Sequence, residues 1–158
     1  MRRPTIEGSK RFKSQVSAAL DLLEERVPEV YVFVCNYIGI IRESPRSGIW
    51  VHEAPVVFDL SPRSCFYSTT WCAGVIVHEA YHVWQYKRYL AINRCSEPTA
   101  WYKGVATEMD AIAYQLAVMK ALEAPVHELD WLQSQDGSHF DIDGDGDYDW
   151  EDYRLRDW

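Results

Sequence analysis

The sequence predicts an α+β fold, and three observations support that prediction. The chain has 158 residues, 47% of them hydrophobic, which is the size and composition of one globular domain with a single core. A helical pattern comes first, runs rich in β-branched and aromatic residues follow, and two longer helical patterns come next. We therefore expect a small β-sheet packed against helices over residues 1–126, with a C-terminal extension over 127–158 that packs on the same domain.

The first predicted helix covers residues 9–26 and ends near Pro28. Its apolar residues recur at the spacing of one helix face between charged positions. These residues are Phe12, Val16, Ala19, Leu20, Leu22 and Leu23.

Three strands are predicted next, in the runs YVFVCNYIGII (31–41), GIWVHE (48–53) and PVVFDL (55–60). Each run is rich in β-branched and aromatic residues, and turns containing Pro or Gly separate them. The third strand is either an ordinary core strand or a sheet edge that receives an extended peptide by strand addition. The sequence favours neither of these two interpretations.

Two long helices are predicted after the strands, over residues 71–90 and 99–122. Ser68, Thr69 and Thr70 are candidate N-caps for the first of them. Pro125 stops the second.

The letters HEAYH at positions 78–82 form the pattern H-E-x-x-H within the first long helix. His78 and His82 are one helical turn apart, so both imidazoles project from one face and can hold a single metal ion. Glu79 lies beside them, where it can reach a metal-bound water as a general base. Zinc suits two neutral histidines with an oxygen ligand. The alternative is a pair of core histidines with Glu79 in a salt bridge.

A catalytic zinc site needs a third protein ligand. Glu108 follows His82 by 26 residues and lies on the second long helix. A turn between the two helices could lay its carboxylate against the histidine pair, so Glu108 is the candidate.

These residues resemble the gluzincins, the thermolysin-like zinc peptidases, over about a third of the chain. The resemblance implies a zincin-like fold, in which a small sheet packs on the active-site helix and a following helix carries a ligand. It implies that His78, His82 and Glu108 bind zinc and that Glu79 is the general base. It also implies hydrolysis of a peptide or protein substrate, with Asp110 orienting a zinc-bound histidine.

The segment from Ala106 to Asp110 is also a near match to the G-T-x-x-D of the aspzincins, which would make Asp110 the third ligand. Glu108 and Asp110 are about 200° apart around a helix, so only one of them can face the metal. We expect Glu108, because its side chain is longer and because Ala106 stands where the aspzincins have glycine.

Peptidases of this kind also place a Tyr or His where the oxyanion forms. The candidates in the sequence are Tyr102, Tyr114 and His127. We expect His52 and His139 to be ordinary surface or hydrogen-bonded histidines.

A second metal site is predicted in the acidic segment 141–152, DIDGDGDYDWED. The segment contains seven acidic residues and no basic one, so its net charge is −7. Because the net charge of the whole chain is −8, the remainder of the chain carries −1. The segment resembles EF-hand-like loops, and more closely the dockerin and other bacterial calcium repeats, with Gly146 at the sharp turn. The resemblance implies that calcium is bound by Asp141, Asp143, Asp145, Asp147, Asp149 and Asp152, and that it stabilises the fold; a solvated acidic tail is the alternative.

The remaining expectations concern cysteines and partners. If all four cysteines pair, the scheme is Cys65 with Cys72 and Cys35 with Cys95; four reduced cysteines are the alternative. The acidic charge argues against a nucleic-acid partner, no apolar run is long enough to span a membrane, and a monomer is expected. The chain is secreted if a signal peptide has been removed and cytoplasmic otherwise.

Two other functions stay open at this stage. One is a catalytically silent zincin scaffold that acts as a calcium-dependent binding module. The other is a zinc hydrolase for a non-peptide amide.

Overall fold

The computed structural model describes residues 2–93, 104–146 and 150–155, which form an α+β arrangement of a small mixed sheet and helices. The strands are β1 (Thr5–Glu7), β2 (Ile40–Glu43), β3 (Gly48–Trp50) and β4 (Val57–Leu60). The helices are α1 (Lys10–Arg26), α2 (Pro28–Tyr37), α3 (Pro62–Cys65), α4 (Thr69–Asn93), α5 (Val105–Ala121), α6 (Val126–Gln133) and α7 (Trp150–Leu155).

The four strands lie in the order β1-β2-β4-β3. β1, β2 and β4 are parallel, and β3 is antiparallel to β4. Every residue of β4 is buried, as befits a strand with neighbours on both sides. The suggestion that PVVFDL is a sheet edge is therefore wrong, and the edge on that side of the sheet is β3.

The sequence predictions for α1 and for the two long helices are confirmed in outline. The Ser9 hydroxyl caps α1 by accepting a hydrogen bond from the Phe12 N–H, and the predicted apolar stripe is buried except for half-buried Leu22. α4 extends beyond its predicted bounds at both ends, whereas α5 begins at Val105 after the N-cap Gly104, later than the predicted start at residue 99.

The prediction of a strand from residue 31 is wrong over its first part, which is the helix α2. Pro28 ends the predicted first helix, but it also occupies the first turn of α2, a position where its missing N–H costs nothing. Val30, Tyr31 and Val34 lie on one face of α2 and are buried in the core. The strand begins only at Ile40.

α4 and α5 pack closely, and this contact positions the residues of the candidate site. Gly74 of α4 faces Met119 of α5, and a Cβ at this glycine would lie 2.5 Å from the Met119 sulfur. The missing side chain lets the two helix axes approach each other. Helices α1 and α2 cover the other side of α4 and enclose the main core.

The C-terminal segment packs on one face of the edge strand β3. The Tyr153 ring of α7 lies 5.9 Å from the Trp50 ring of β3 and against Gly48. Asp152 is fully buried, and its carboxylate accepts a hydrogen bond from the Ile142 N–H at 2.7 Å. Through Tyr153 and Asp152, the described residues 140–146 and 150–155 therefore form one wall on this face of β3.

Two further expectations can be compared with the described residues. Cys35, Cys65 and Cys72 are free thiols, and the Cys65 and Cys72 thiols are hydrogen-bonded to each other, which raises the pKa of Cys72. Cys95 lies outside the described residues, so its predicted pairing is not addressed. None of the described helices is long and apolar enough to cross a membrane.

Candidate metal centre

α4 places both histidines of the H-E-x-x-H pattern on one face of the helix. His78 and His82 are each 8% exposed, and their Nε2 atoms lie 2.9 Å apart. The spacing of one helical turn explains this approach, because residues four apart in a helix lie one above the other.

Glu108, in the first turn of α5, completes the cluster. Its Oε1 lies 3.0 Å from the Nε2 of His78, and its Oε2 lies 3.1 Å from the Nε2 of His82. One candidate ligand atom from each residue falls within 4.8 Å of the others, so the three can converge on one metal ion. The close approach of α5 to α4 brings the carboxylate there.

Asp110 does not join this cluster. It is exposed on α5 and faces towards Tyr81, whose pKa is raised by burial and by the negative charge of Asp110. Two residues along a helix turn the side chain by about 200°, which separates the two carboxylates. Of the two predicted alternatives, Glu108 is the one that lies beside the histidines.

The electrostatics of the cluster favour a bound cation. Burial alone would lower the pKa of His82, but the attraction and hydrogen bonding of Glu108 outweigh it and raise the pKa to about 9. Burial alone would raise the pKa of Glu108, but His78 and His82 hold it well below its usual value. The buried carboxylate is thus charged and is balanced by positive charge, which a metal ion can supply in place of the proton on His82.

Gln85, which is not among the predicted site residues, orients His82. Its amide nitrogen donates to the Thr107 carbonyl at 3.1 Å, so its oxygen faces the Nδ1 of His82 at 3.0 Å and accepts a hydrogen bond from it. When His82 is neutral, its lone pair is then on Nε2, the atom that faces Glu108. The Nδ1 of His78 is buried and has no comparable partner among the described residues.

His139, expected from the sequence to be an ordinary surface or hydrogen-bonded histidine, lies beside the cluster. Its Nε2 lies 3.3 Å from the Oε1 of Glu108, and it lines the same cleft. The group whose ligand atoms converge consists of His78, His82 and Glu108 and does not include His139. His139 therefore lies beside the candidate metal position and is not one of its candidate ligands.

The cluster opens into a cleft of about 1020 Å³. One face of α4 lines it with Trp71, Val75, His78, Glu79 and His82, and β3 lines it as well. Glu79 is half-buried, and its carboxylate makes no hydrogen bond or ion pair within the described part of the chain. The Glu79 carboxylate is therefore available to a group bound in the cleft.

No family model, curated protein or solved structure matches this chain.

The predicted oxyanion candidates do not lie in the cleft where the structure describes them. Tyr114 packs its ring on Phe33 and Tyr81, on the other side of α4. His127 is exposed on α6, and its ring lies 6.3 Å from that of Tyr67. Tyr102 lies outside the described residues.

The acidic segment forms a turn that gathers three of the predicted calcium ligands. Asp141, Asp143 and Asp145 each offer an oxygen within 4.8 Å of the others. The Asp141 carboxylate accepts hydrogen bonds from the N–H groups of Gly144 and Gly146, whose φ values of 78° and 88° suit glycine. Asp147 and Asp149 lie outside the described residues.

Asp152, the predicted ligand at the last position of the loop, is buried and binds the backbone of Ile142. Asp143 is affected by its acidic neighbours. The hydrogen bond from the Asp145 N–H lowers its pKa, but desolvation and the repulsion of Asp145, Asp152 and Asp141 raise it overall.

Proposed function

We propose that this chain is a zinc-dependent peptidase on a zincin-like scaffold. The observation that carries the proposal is the convergence of His78, His82 and Glu108 on one point in a cleft that also contains the unbonded carboxylate of Glu79. Two imidazoles and one carboxylate are a donor set that suits zinc and leaves a position open for water. Bound zinc would polarise the substrate carbonyl and lower the pKa of that water.

The residues of the chain have separate roles in this proposal. His78, His82 and Glu108 bind the ion, and Gln85 keeps Nε2 of His82 directed at it. Glu79 accepts a proton from water at its carboxylate and passes it to the leaving amine. His139, whose Nε2 already lies beside Glu108, is the candidate donor to the substrate carbonyl oxygen, in place of the tyrosines and His127.

The edge strand β3 supports a peptide as substrate. Gly48, Ile49 and Trp50 line the cleft, and β3 has a strand neighbour only on its β4 side among the described strands. An extended peptide can add to such an edge by backbone hydrogen bonds. Asp59 accepts the indole N–H of Trp50 at 2.7 Å and so fixes this wall of the cleft.

The proposed peptidase is tested by zinc content and hydrolysis of an unfolded protein, measured on the wild type and on Glu79→Gln. We expect Glu79→Gln to keep one zinc per chain and to lose about 10²–10⁴-fold in rate, the usual contribution of a general base. Glu25→Gln is the matched control, because Glu25 is exposed on α1 outside the cleft. A protein that keeps zinc but is inert in both forms would contradict the peptidase.

We further propose that the acidic segment binds calcium and stabilises the wall beside the cleft. Asp141, Asp143 and Asp145 supply the oxygens that calcium prefers, and Ile142 between them lines the cleft. If wild type and Glu79→Gln are equally inert but calcium promotes ligand binding, the alternative of a calcium-dependent binding module replaces the peptidase.

A further inference from the structure

One end of the cleft, away from the metal centre, has aromatic walls and a buried carboxylate. The rings of Tyr67 and Trp71 lie 5.7 Å apart, and those of Trp71 and Trp131 lie 5.1 Å apart. All three side chains line the cleft together with Glu128. We call these four residues the aromatic pocket.

Glu128 is an unusual residue for such a position. It is 1% exposed, and its Oε2 accepts a hydrogen bond from the Thr70 hydroxyl at 2.7 Å. No ion pair joins Glu128 to an arginine, lysine or histidine in the described part of the chain, and Arg63, which also lines the cleft, has an interaction of its own. A buried carboxylate is costly unless it is paired, so this one is suited to receive a cation from a ligand.

The walls of the aromatic pocket suit the same cation. Tyr67 and Trp131 are 59% and 51% exposed, so large ring surfaces are open to a ligand. A guanidinium or ammonium group within about 6 Å of such rings is attracted by their electron-rich faces. The Glu128 carboxylate lies at the same place, and charge-assisted hydrogen bonds between a carboxylate and a cation are strong.

We infer that the aromatic pocket binds the arginine or lysine side chain of a peptide substrate next to the bond that is cut. This inference rests on the proposed peptidase. Thr70, which holds Glu128, precedes His78 by eight residues of α4, which is about 12 Å along the helix axis. One extended residue advances the peptide backbone by only about 3.4 Å. A residue beside the scissile bond therefore reaches Glu128 only if its side chain is long, as in arginine or lysine.

The first experiment measures binding without catalysis. Acetyl-arginine amide and the uncharged acetyl-citrulline amide, which has nearly the same shape, are titrated calorimetrically into the zinc-loaded full chain. We expect the arginine compound to bind at least about tenfold more tightly, because only its cation pairs with the carboxylate. Glu128→Gln keeps an acceptor for Thr70 and should abolish the preference, whereas Asp130→Asn, an exposed change on the same helix, should keep it.

Equal affinity for both compounds, or an unchanged preference in Glu128→Gln, would overturn the inference. If Glu128→Gln melts well below the wild type, Trp131→Ala serves as the second variant, because this exposed ring can be removed without opening the core. It should weaken the arginine compound more than the citrulline compound. Equal weakening of both compounds would count against the pocket.

The second experiment separates this inference from the peptidase itself. A library of peptides is digested, and the residues flanking each cut are identified. Cleavage beside Arg or Lys that depends on Glu128 supports both proposals. Cleavage without that preference overturns the pocket and leaves the peptidase standing, whereas Glu128-dependent arginine binding with no cleavage at all overturns the peptidase and leaves the pocket standing.

Discussion

Gln85→Met tests whether the support of His82 is essential to the metal centre. Methionine has a similar length and no branching, so it fills the space of Gln85, which is 7% exposed, without its hydrogen bonds. The change removes the bond of 3.0 Å from His82 and the bond of 3.1 Å to the Thr107 carbonyl. Each such bond contributes about 0.5–1.5 kcal/mol, so the metal-depleted protein should lose about 1–3 kcal/mol of unfolding free energy.

The effect of Gln85→Met on zinc should be larger than a surface change could produce. Loss of a group that orients a metal-bound histidine typically weakens metal binding about 10–100-fold. Competition against a chromophoric chelator measures the zinc dissociation constant, with Gln133→Met, an exposed change on α6, as the matched control. Gln85→Glu should retain more affinity, because its carboxylate still accepts from His82. A dissociation constant for Gln85→Met within about twofold of the wild type would refute the reasoning.

Three further predictions follow from the same geometry. Zinc affinity should rise about tenfold per pH unit between pH 6 and 8 and level off near pH 9, because zinc must displace the proton that Glu108 holds on His82. Chelator competition measures the affinity across this range, and an affinity that does not change with pH would contradict the prediction. His139→Ala should keep one zinc per chain by metal analysis and lower the hydrolysis rate about 10²-fold; loss of zinc would instead make His139 a ligand. Calcium should raise the melting temperature of the wild type but not that of the double variant Asp141→Asn with Asp145→Asn. An equal rise in both proteins would contradict calcium binding by the acidic segment.

The parts of the fold that a local pattern determines are predictable from the sequence. The 3.6-residue period locates α1, and the four-residue spacing of His78 and His82 is enough to place both side chains on one helix face. Helix geometry allows only one of Glu108 and Asp110 to face the metal, and side-chain length together with Ala106 favours Glu108, which is the carboxylate that lies against the histidines.

The parts that the sequence does not predict depend on tertiary packing. A short run rich in apolar residues suits a buried helix as well as a strand, which is why the pattern over residues 31–37 indicates the wrong element. His139 lies in a turn 57 residues after His82, and nothing near it in the sequence indicates that the chain returns to the cleft. Gln85 does have a signal, because three residues after His82 places it on a neighbouring position of the same helix.

The most direct test of the zinc centre is anomalous diffraction at the zinc edge from crystals of the full chain grown with zinc. We expect one strong peak bounded by Nε2 of His78, Nε2 of His82 and the carboxylate of Glu108, with each ligand atom about 2.0–2.2 Å away. Zinc at full occupancy elsewhere, for example only among Asp141, Asp143 and Asp145, with no peak between the two histidines, would contradict it.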